Sequence, residues 1–157
     1  MSRAKRVGTA AAIAAAIAIP AEGLRQVAYY DPPGVLTVCY GSTTNVVKGK
    51  VYSIEECKSR LDADMLAAVE MVDRCQPGLP VNVLAAYGDA VYNLGPTIAC
   101  DTKRSTAARL LKAGEIAQAC RQLPRWNKAN VAGVMVALPG LTKRRNAEMA
   151  LCLGDQA

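Results

Sequence analysis

The stretch EGLRQVAYYDPPGVLTVCYGS, residues 22–42, holds two acidic side chains and a threonine in close succession. Asp31 follows Glu22 by nine positions, and Thr37 follows Asp31 by six. Hydrolysis of a glycosidic bond usually needs one carboxyl group that donates a proton and a second that attacks or activates water. The spacing alone is a weak signal, because most pairs of acidic residues are solvated surface groups.

The surroundings of the two acids differ in the way that acid–base chemistry requires. Glu22 follows an uncharged segment, and partial burial there favours its protonated form. Asp31 lies in Tyr-Asp-Pro-Pro-Gly, a turn-rich and solvated setting that keeps it ionised. The hydroxyl of Thr37 both donates and accepts hydrogen bonds, which suits holding a water molecule. This arrangement suits Glu22 as a general acid, with Asp31 and Thr37 positioning water.

Further segments give this stretch a family resemblance. The flanks of Glu22 and Asp31, and three later segments in the same order, resemble glycoside hydrolase family 24, the phage-type lysozymes. The resemblance covers roughly residues 20–153, and its later segments are AAYGDAVYNLGP (85–96), CRQLPRWNKA (120–129) and PGLTKRRNAE (139–148). One departure is Ser42, which stands where the family often has histidine.

The resemblance implies an α+β, mainly helical lysozyme fold with two lobes, a small antiparallel hairpin lobe and a helical lobe with the cleft between them. It implies a muramidase that cuts the β-1,4 bond between MurNAc and GlcNAc in peptidoglycan during host lysis, with inversion at the sugar. Tyr92 matches an aromatic residue that lines the family's cleft, with a core position as the alternative. Ser105 matches a substrate-contacting position, with a helix cap as the slightly favoured alternative. Either Arg144 or Arg145 is expected to pair with Glu22, and Arg145 is the candidate that we chose.

The N-terminus predicts a membrane segment. Arg3, Lys5 and Arg6 precede 15 uncharged residues, 7–21, dominated by alanine. Such a run resembles a secretory signal, but it is short and only weakly apolar for a membrane span. Cleavage after Ala21 would remove the helix expected to hold Glu22, so we expect the segment to be retained. It resembles the signal-anchor-release segment of some phage endolysins, which gives a division into residues 1–21 and a catalytic domain of residues 22–157. The alternative is an ordinary buried alanine-rich helix.

Composition indicates which class of binding partner and which cellular compartment suit this chain. The net charge of +6 favours an anionic partner, and without an aromatic-interleaved basic tract we prefer peptidoglycan to nucleic acid. Six cysteines suit disulfides in an oxidising compartment, here the host periplasm with initial tethering to the inner membrane, although 15 pairings are open. The chain has no histidine, which excludes Ser-His and Cys-His schemes and histidine-ligated metals. We expect a monomer without metal or cofactor.

Local patterns predict most of the secondary structure. Pro20 should end a first helix, and a short second helix should then carry Glu22. Ser53 and Glu56 form a capping-box pattern that should begin a long helix with Leu61, Met65, Ala68 and Val72 on one face. The predicted elements are helices at 7–19, 21–28, 53–74, 81–94, 105–113, 115–122 and 140–152, and a hairpin of 35–40 with 44–52.

Three alternative functions remain open from the sequence. A lytic transglycosylase uses a single acid, so the second acid, Asp31, favours hydrolysis. A non-catalytic peptidoglycan-binding or regulatory relative is disfavoured by the intact acids and threonine. A membrane-permeabilising protein working through residues 7–21 is disfavoured by the length of folded sequence that follows.

Overall fold

A small β-hairpin lobe and a larger helical lobe make up the computed structural model, which describes residues 1–154. The last three residues, 155–157, belong to the predicted catalytic domain and lie outside the described residues. The described elements are α1 (Arg3–Ala21), β1 (Arg25–Tyr30), β2 (Leu36–Cys39), α2 (Ile54–Cys75), α3 (Val81–Leu94), α4 (Thr97–Cys100), α5 (Thr106–Lys112), α6 (Ile116–Cys120), a 3-10 turn (Leu123–Arg125), β3 (Lys128–Val131), β4 (Val134–Ala137) and α7 (Pro139–Leu153). The mainly helical, two-lobed architecture confirms the predicted fold class.

Helix α1 is capped at its N-terminus, and its alanine-rich face is part of the core. The Ser2 hydroxyl accepts the Lys5 amide at 3.2 Å and caps the N-terminus. Alanine has the highest helix propensity, so the run needs little tertiary support to be helical. The buried face packs against α2 and α3 and consists of Val7, Ala10, Ala11, Ala14, Ala15 and Ala18.

The predicted helix over 21–28 is wrong. Helix α1 continues through Pro20 to Ala21, and Glu22 closes it by donating its amide to the Ala18 carbonyl at 2.8 Å. Because Pro20 lies in the last turn, it removes only one hydrogen bond of the helix. The next residues form strand β1, in which valine and two tyrosines suit an extended backbone.

The partner strand of β2 also differs from the prediction. Strand β2 pairs antiparallel with β1, with Tyr29 opposite Thr37 and Tyr30 opposite Leu36. Residues 44–52 form a loop that contributes an isolated bridge between Val27 and Val51. Positive φ angles at Asn45 (50°) and Gly49 (84°) prevent a continuous strand there.

Helices α2 and α3 form the centre of the helical lobe. The predicted capping box begins α2: the Glu56 amide donates to the Ser53 hydroxyl, and the Ser53 amide donates to the Glu56 carboxylate. The predicted face of Leu61, Met65, Ala68 and Val72 is buried. At the crossing with α3, a Cβ added to Gly88 would lie 2.4 Å from Cγ2 of Val69, so only glycine permits this approach.

All six cysteines form disulfides. Cys39–Cys57 joins the end of β2 to α2, Cys75–Cys100 joins α2 to α4, and Cys120–Cys152 joins α6 to α7. In the chain-entropy description, loops of this size each stabilise the fold by about 3 kcal/mol. The sequence left the pairing open, and it also gave no prediction of the exposed hairpin of β3 and β4.

Candidate active site

A cleft of about 430 Å³ lies between the hairpin lobe and helices α2 and α3. It brings together Glu22, Asp31 and Thr37, the three residues that the sequence singled out. The residues that line it come from both lobes and are Glu22, Tyr29, Asp31, Thr37, Gly41, Thr43, Thr44, Asp64, Ala67, Tyr92 and Asn93.

Glu22 reaches this cleft from the C-terminal end of α1. Its side chain is 25% exposed, so the carboxyl group is accessible but mostly enclosed. Nη1 of Arg144 donates to its Oε1 at 2.6 Å. Its Oε2 lies on the side of Gly41, where an added Cβ would be 3.7 Å away. One oxygen is therefore held by α7, and the other faces the hairpin lobe.

The partner of Glu22 is Arg144, which corrects the choice of Arg145. Arg144 also donates from Nε and Nη2 to the two carboxylate oxygens of Asp89, at 2.9 and 2.8 Å. Arg145 instead donates to Glu148 at 2.6 Å and to Asn93 at 2.9 Å. Neighbouring helix positions point about 100° apart, so the orientation of α7 decides which arginine reaches the cleft.

Two guanidinium groups in this network face three carboxyl groups, those of Glu22, Asp89 and Glu148. Burial, reinforced by Asp89 and opposed by Arg145, raises the pKa of Glu148 to about 9. Its Oε2 is buried without a hydrogen-bond partner among the described residues. Burial and the neighbouring Asp89 carboxylate therefore favour the protonated form of Glu148.

Arg144 stays charged in the same network. Burial lowers its pKa, but the hydrogen bonds and charges of Asp89 and Glu22 outweigh burial and raise the pKa above the ordinary value. The bidentate contact with Asp89 fixes the plane of the guanidinium group. Glu22 is thus oriented by a cation whose own position is set by a fully buried carboxylate on α3.

Asp31 and Thr37 are held by the same residue of the hairpin loop. The Val35 amide donates to Oδ1 of Asp31 at 2.7 Å, and the Asp31 amide donates to the Val35 carbonyl at 3.0 Å. The Thr37 hydroxyl donates to that same carbonyl at 2.9 Å. This leaves the lone pairs of the hydroxyl oxygen available to accept from a bound water. The two side chains therefore keep a fixed relation across the turn.

Tyr92 lines the cleft, as the resemblance implied. Its hydroxyl donates to the Tyr40 carbonyl and connects α3 to the turn that follows β2. Burial, assisted by the carboxylates of Glu22 and Asp64, raises the pKa of the phenol, which keeps it a neutral donor. Gly41 lies beside it with φ +87°, a conformation that favours glycine.

Ser105 does not reach the cleft. It is fully buried, its hydroxyl accepts the Ala108 amide as the N-cap of α5, and it donates to the Ile98 carbonyl. Because the hydroxyl is enclosed and its bonds are used within the helical lobe, Ser105 is the helix cap that the sequence also allowed, and it does not provide the substrate contact that the resemblance implied. Ser42 accepts from Arg60 at 3.2 Å, so an arginine meets the position where the family often has histidine.

Sequence reasoning missed three polar residues of the site. Asp89 and Asn93 lie on α3. Asp64, on α2, adds its carboxylate to those of Glu22 and Asp31 in the cleft. Asp89 did carry a signal, because an acid inside the apolar run AAYGDAV must find a buried partner. Across residues 1–154, no group of three or more acidic, cysteine or histidine side chains is placed to hold a metal ion.

Comparison with known proteins identifies the class to which this fold and cleft belong. A model of the phage lysozyme family matches residues 20–148. The SAR-endolysin of Pseudomonas phage phiKMV is 37% identical over 146 residues, which cover 91% of this chain and 89% of that relative. The SAR-endolysin of Enterobacteria phage P21 is 33% identical over 137 residues, covering 86% and 79%. The chain therefore belongs to the phage lysozyme family and is a peptidoglycan-hydrolysing lysozyme of the SAR-endolysin type.

Solved structures agree with this assignment. The active form of the P1 phage endolysin Lyz has a TM-score of 0.76 and 25% identity, covering 92% of this chain and 85% of that one. The muramidase domain of SpmX from Asticaccaulis excentricus has a TM-score of 0.79 and 27% identity, covering 98% and 97%. Both similarities extend over nearly the whole chain, so the two-lobed fold is shared from α1 to α7.

Proposed function

We propose that this chain is a muramidase that hydrolyses the β-1,4 bond between MurNAc and GlcNAc, with Glu22 as general acid and Asp31 and Thr37 positioning the water. The observation that carries the proposal is the convergence of these three side chains on one cleft, with Glu22 oriented by Arg144. Paired carboxyl groups in unlike settings are what glycoside hydrolysis uses.

The proposed reaction assigns one task to each group. Glu22 gives its proton to the bridging oxygen as the bond to C1 of MurNAc breaks. Thr37 accepts a hydrogen bond from the attacking water, and Asp31 takes the proton that the water loses as its oxygen joins C1. Since Val35 holds both Asp31 and Thr37, the two groups that position the water are preorganised before the substrate binds.

The division of contacts around Arg144 supports the role of Glu22 as an acid. Asp89 takes two of the guanidinium donors and balances its charge, so Glu22 receives a single N–H contact. The carboxyl group is thereby oriented without being the main counter-ion of Arg144. Tyr92, which lines the cleft, is proposed to contact the glycan strand.

The N-terminal helix supports a second part of the proposal, a membrane-tethered precursor in the periplasm. Helix α1, Arg3–Ala21, is long and apolar enough to cross a membrane, with a mean hydropathy of 1.3. In the folded enzyme its alanine face is packed, and its last turn leads directly into Glu22. Were residues 7–21 in the bilayer, Glu22 would be held at the membrane surface, away from Arg144, and the enzyme would be inactive.

The experiment that tests the catalytic proposal is digestion of purified peptidoglycan by the wild-type chain and by Glu22→Gln and Asp31→Asn. Mass spectrometry of the released muropeptides should find reducing MurNAc ends from the wild type and at least about 100-fold less product from Glu22→Gln. Anhydro-MurNAc ends would identify a transglycosylase, and full activity of Glu22→Gln would remove Glu22 from the mechanism. Lys58→Gln, an exposed charge change outside the cleft, is the control.

A further inference from the structure

The buried face of α1 repeats every four residues. Ala10, Ala14 and Ala18 form one row of this face, and Ala11 and Ala15 form a second. The half-buried Ile13 and Ile17 are also four apart. Residues four apart lie close to one another on a helix face, so a shift of α1 by four residues, about 6 Å with a rotation of about 40°, brings Ala14 to the place of Ala10 and Ala18 to that of Ala14. The same shift exchanges Val7 with an alanine. Val7 is the one fully buried side chain of α1 that is larger than alanine, so apolar packing specifies the position of α1 along its axis only weakly.

The N-terminal end of α1 makes contacts that do specify this position. Nε of Arg3 donates to Oδ2 of Asp73 at 2.6 Å, and Nη2 of Arg6 donates to Oδ1 at 2.7 Å. Nη1 of Arg6 also donates to the Leu79 carbonyl at 3.0 Å. The side chain of Asp73, in the last turn of α2, is only 2% exposed.

A displaced α1 would break these contacts together. Asp73 would then be a buried carboxylate without its two cations, which is strongly unfavourable. Hydrogen bonds from Arg3 and Arg6 outweigh the opposing effect of burial and lower the pKa of Asp73, so the charge is present at neutral pH. The opposite end of α1 is fixed by the contact between Glu22 and Arg144.

We infer that Asp73, through Arg3 and Arg6, is a positioning residue for catalysis that sets the register of α1 and thereby the place of Glu22. The inference rests on the proposed role of Glu22. A helix of 19 residues is about 28 Å long, and it transmits an axial shift at one end to the other. A four-residue shift would move Glu22 about 6 Å relative to Arg144 and Asp31, well beyond the tolerance of proton transfer.

The effect should appear in kcat and not in KM. Apart from Glu22, the residues lining the cleft come from the hairpin lobe, α2 and α3, so a shift of α1 leaves the walls that bind the glycan in place. An interaction needed only to position the acid lowers kcat and kcat/KM together. A purely stabilising ion pair would instead leave kcat unchanged at temperatures where the enzyme is folded.

The test uses the purified full chain with soluble glycan oligomers. Asp73→Asn and Arg6→Gln should lower kcat by about 10- to 100-fold with KM within about twofold of the wild type. Arg6→Lys keeps the charge and should recover most of the loss. Lys5→Gln changes an exposed charge next to Arg6 that does not contact Asp73, and it should behave as the wild type. Arg6→Gln retains the contact between Arg3 and Asp73, so it remains informative if Asp73→Asn fails to fold.

A second control separates register from stability. Ser53→Ala removes the cap of α2 and lowers the melting temperature without touching α1, so its kcat should be unchanged below that temperature. Wild-type kcat for both Asp73→Asn and Arg6→Gln, or an equal loss of kcat in Ser53→Ala, would overturn the inference. If Glu22→Gln were fully active, the proposed function would fail instead, so the two failures are distinguishable.

Discussion

Nη1 of Arg144 lies 2.6 Å from Oε1 of Glu22, although 122 positions separate the two residues in the chain. The contact joins the first residue after α1 to α7, so the proposed acid is in place only when both ends of the chain are folded together. Asp89 holds the other side of the guanidinium group. The catalytic geometry therefore depends on three helices that meet at one ion network.

Replacing Arg144 by lysine tests this network. Lysine keeps the charge but loses the planar, bidentate contact with Asp89, so Glu22 is no longer held in one orientation. We expect kcat to fall by about 100-fold in a peptidoglycan turbidity assay. Arg145→Lys is the matched control, because it alters the adjacent arginine without touching Glu22. Equal losses of kcat in the two folded variants would contradict the assignment of Arg144.

The pKa of Glu148 leads to a dependence of stability on pH. Its pKa is about 9 in the folded enzyme, against an ordinary value of 4.5. A carboxyl group whose pKa rises on folding stabilises the folded state most at low pH, and this contribution is lost progressively as the pH rises from about 4.5 through about 9. Glu148→Gln removes the titration. Calorimetry should therefore show a shallower decline of melting temperature between neutral pH and pH 9 in the variant, by a few degrees, and parallel curves would contradict this.

The approach of α2 and α3 predicts a strong effect of one methyl group. In Gly88→Ala the new Cβ would meet Val69 at 2.4 Å, so the helices must move apart. We expect a loss of about 1–3 kcal/mol in the free energy of unfolding, measured by denaturant titration. Gly8→Ala is the control, since nothing lies within 4 Å of its added Cβ and alanine favours a helix by about 1 kcal/mol. A neutral Gly88→Ala would contradict the close packing.

Membrane tethering can be altered without altering the folded enzyme. Ala12 and Ala16 lie on the exposed side of α1, so leucine there strengthens membrane insertion while the packed face stays unchanged. Ala12→Leu with Ala16→Leu should delay lysis of an expressing host and keep more protein in the membrane fraction. Serine at the same positions should make lysis earlier and leave less protein in the membrane fraction. Identical lysis times for the leucine and serine variants would contradict a tethered precursor.

The sequence located the proposed reacting groups but not the contacts that orient them. The family resemblance of residues 22–42 identified Glu22, Asp31 and Thr37, and the capping box and apolar face identified α2, because these signals are local in the chain. The strand that follows Glu22 was predicted as a helix, since its pairing with β2 is a tertiary contact. Arg145 was chosen over Arg144 for the same reason, because the contact with Glu22 is also tertiary. Which of two adjacent arginines faces the cleft depends on the rotation of α7 against α3.

The most direct test of the account is digestion of purified peptidoglycan in water labelled with heavy oxygen, followed by mass spectrometry of the muropeptides. The proposed mechanism predicts that the wild type places the heavy oxygen at C1 of MurNAc, and that Thr37→Val and Asp31→Asn make the same product more slowly. Unlabelled anhydro ends from the wild type would contradict hydrolysis, and labelled product from Glu22→Gln at the wild-type rate would contradict Glu22 as the acid.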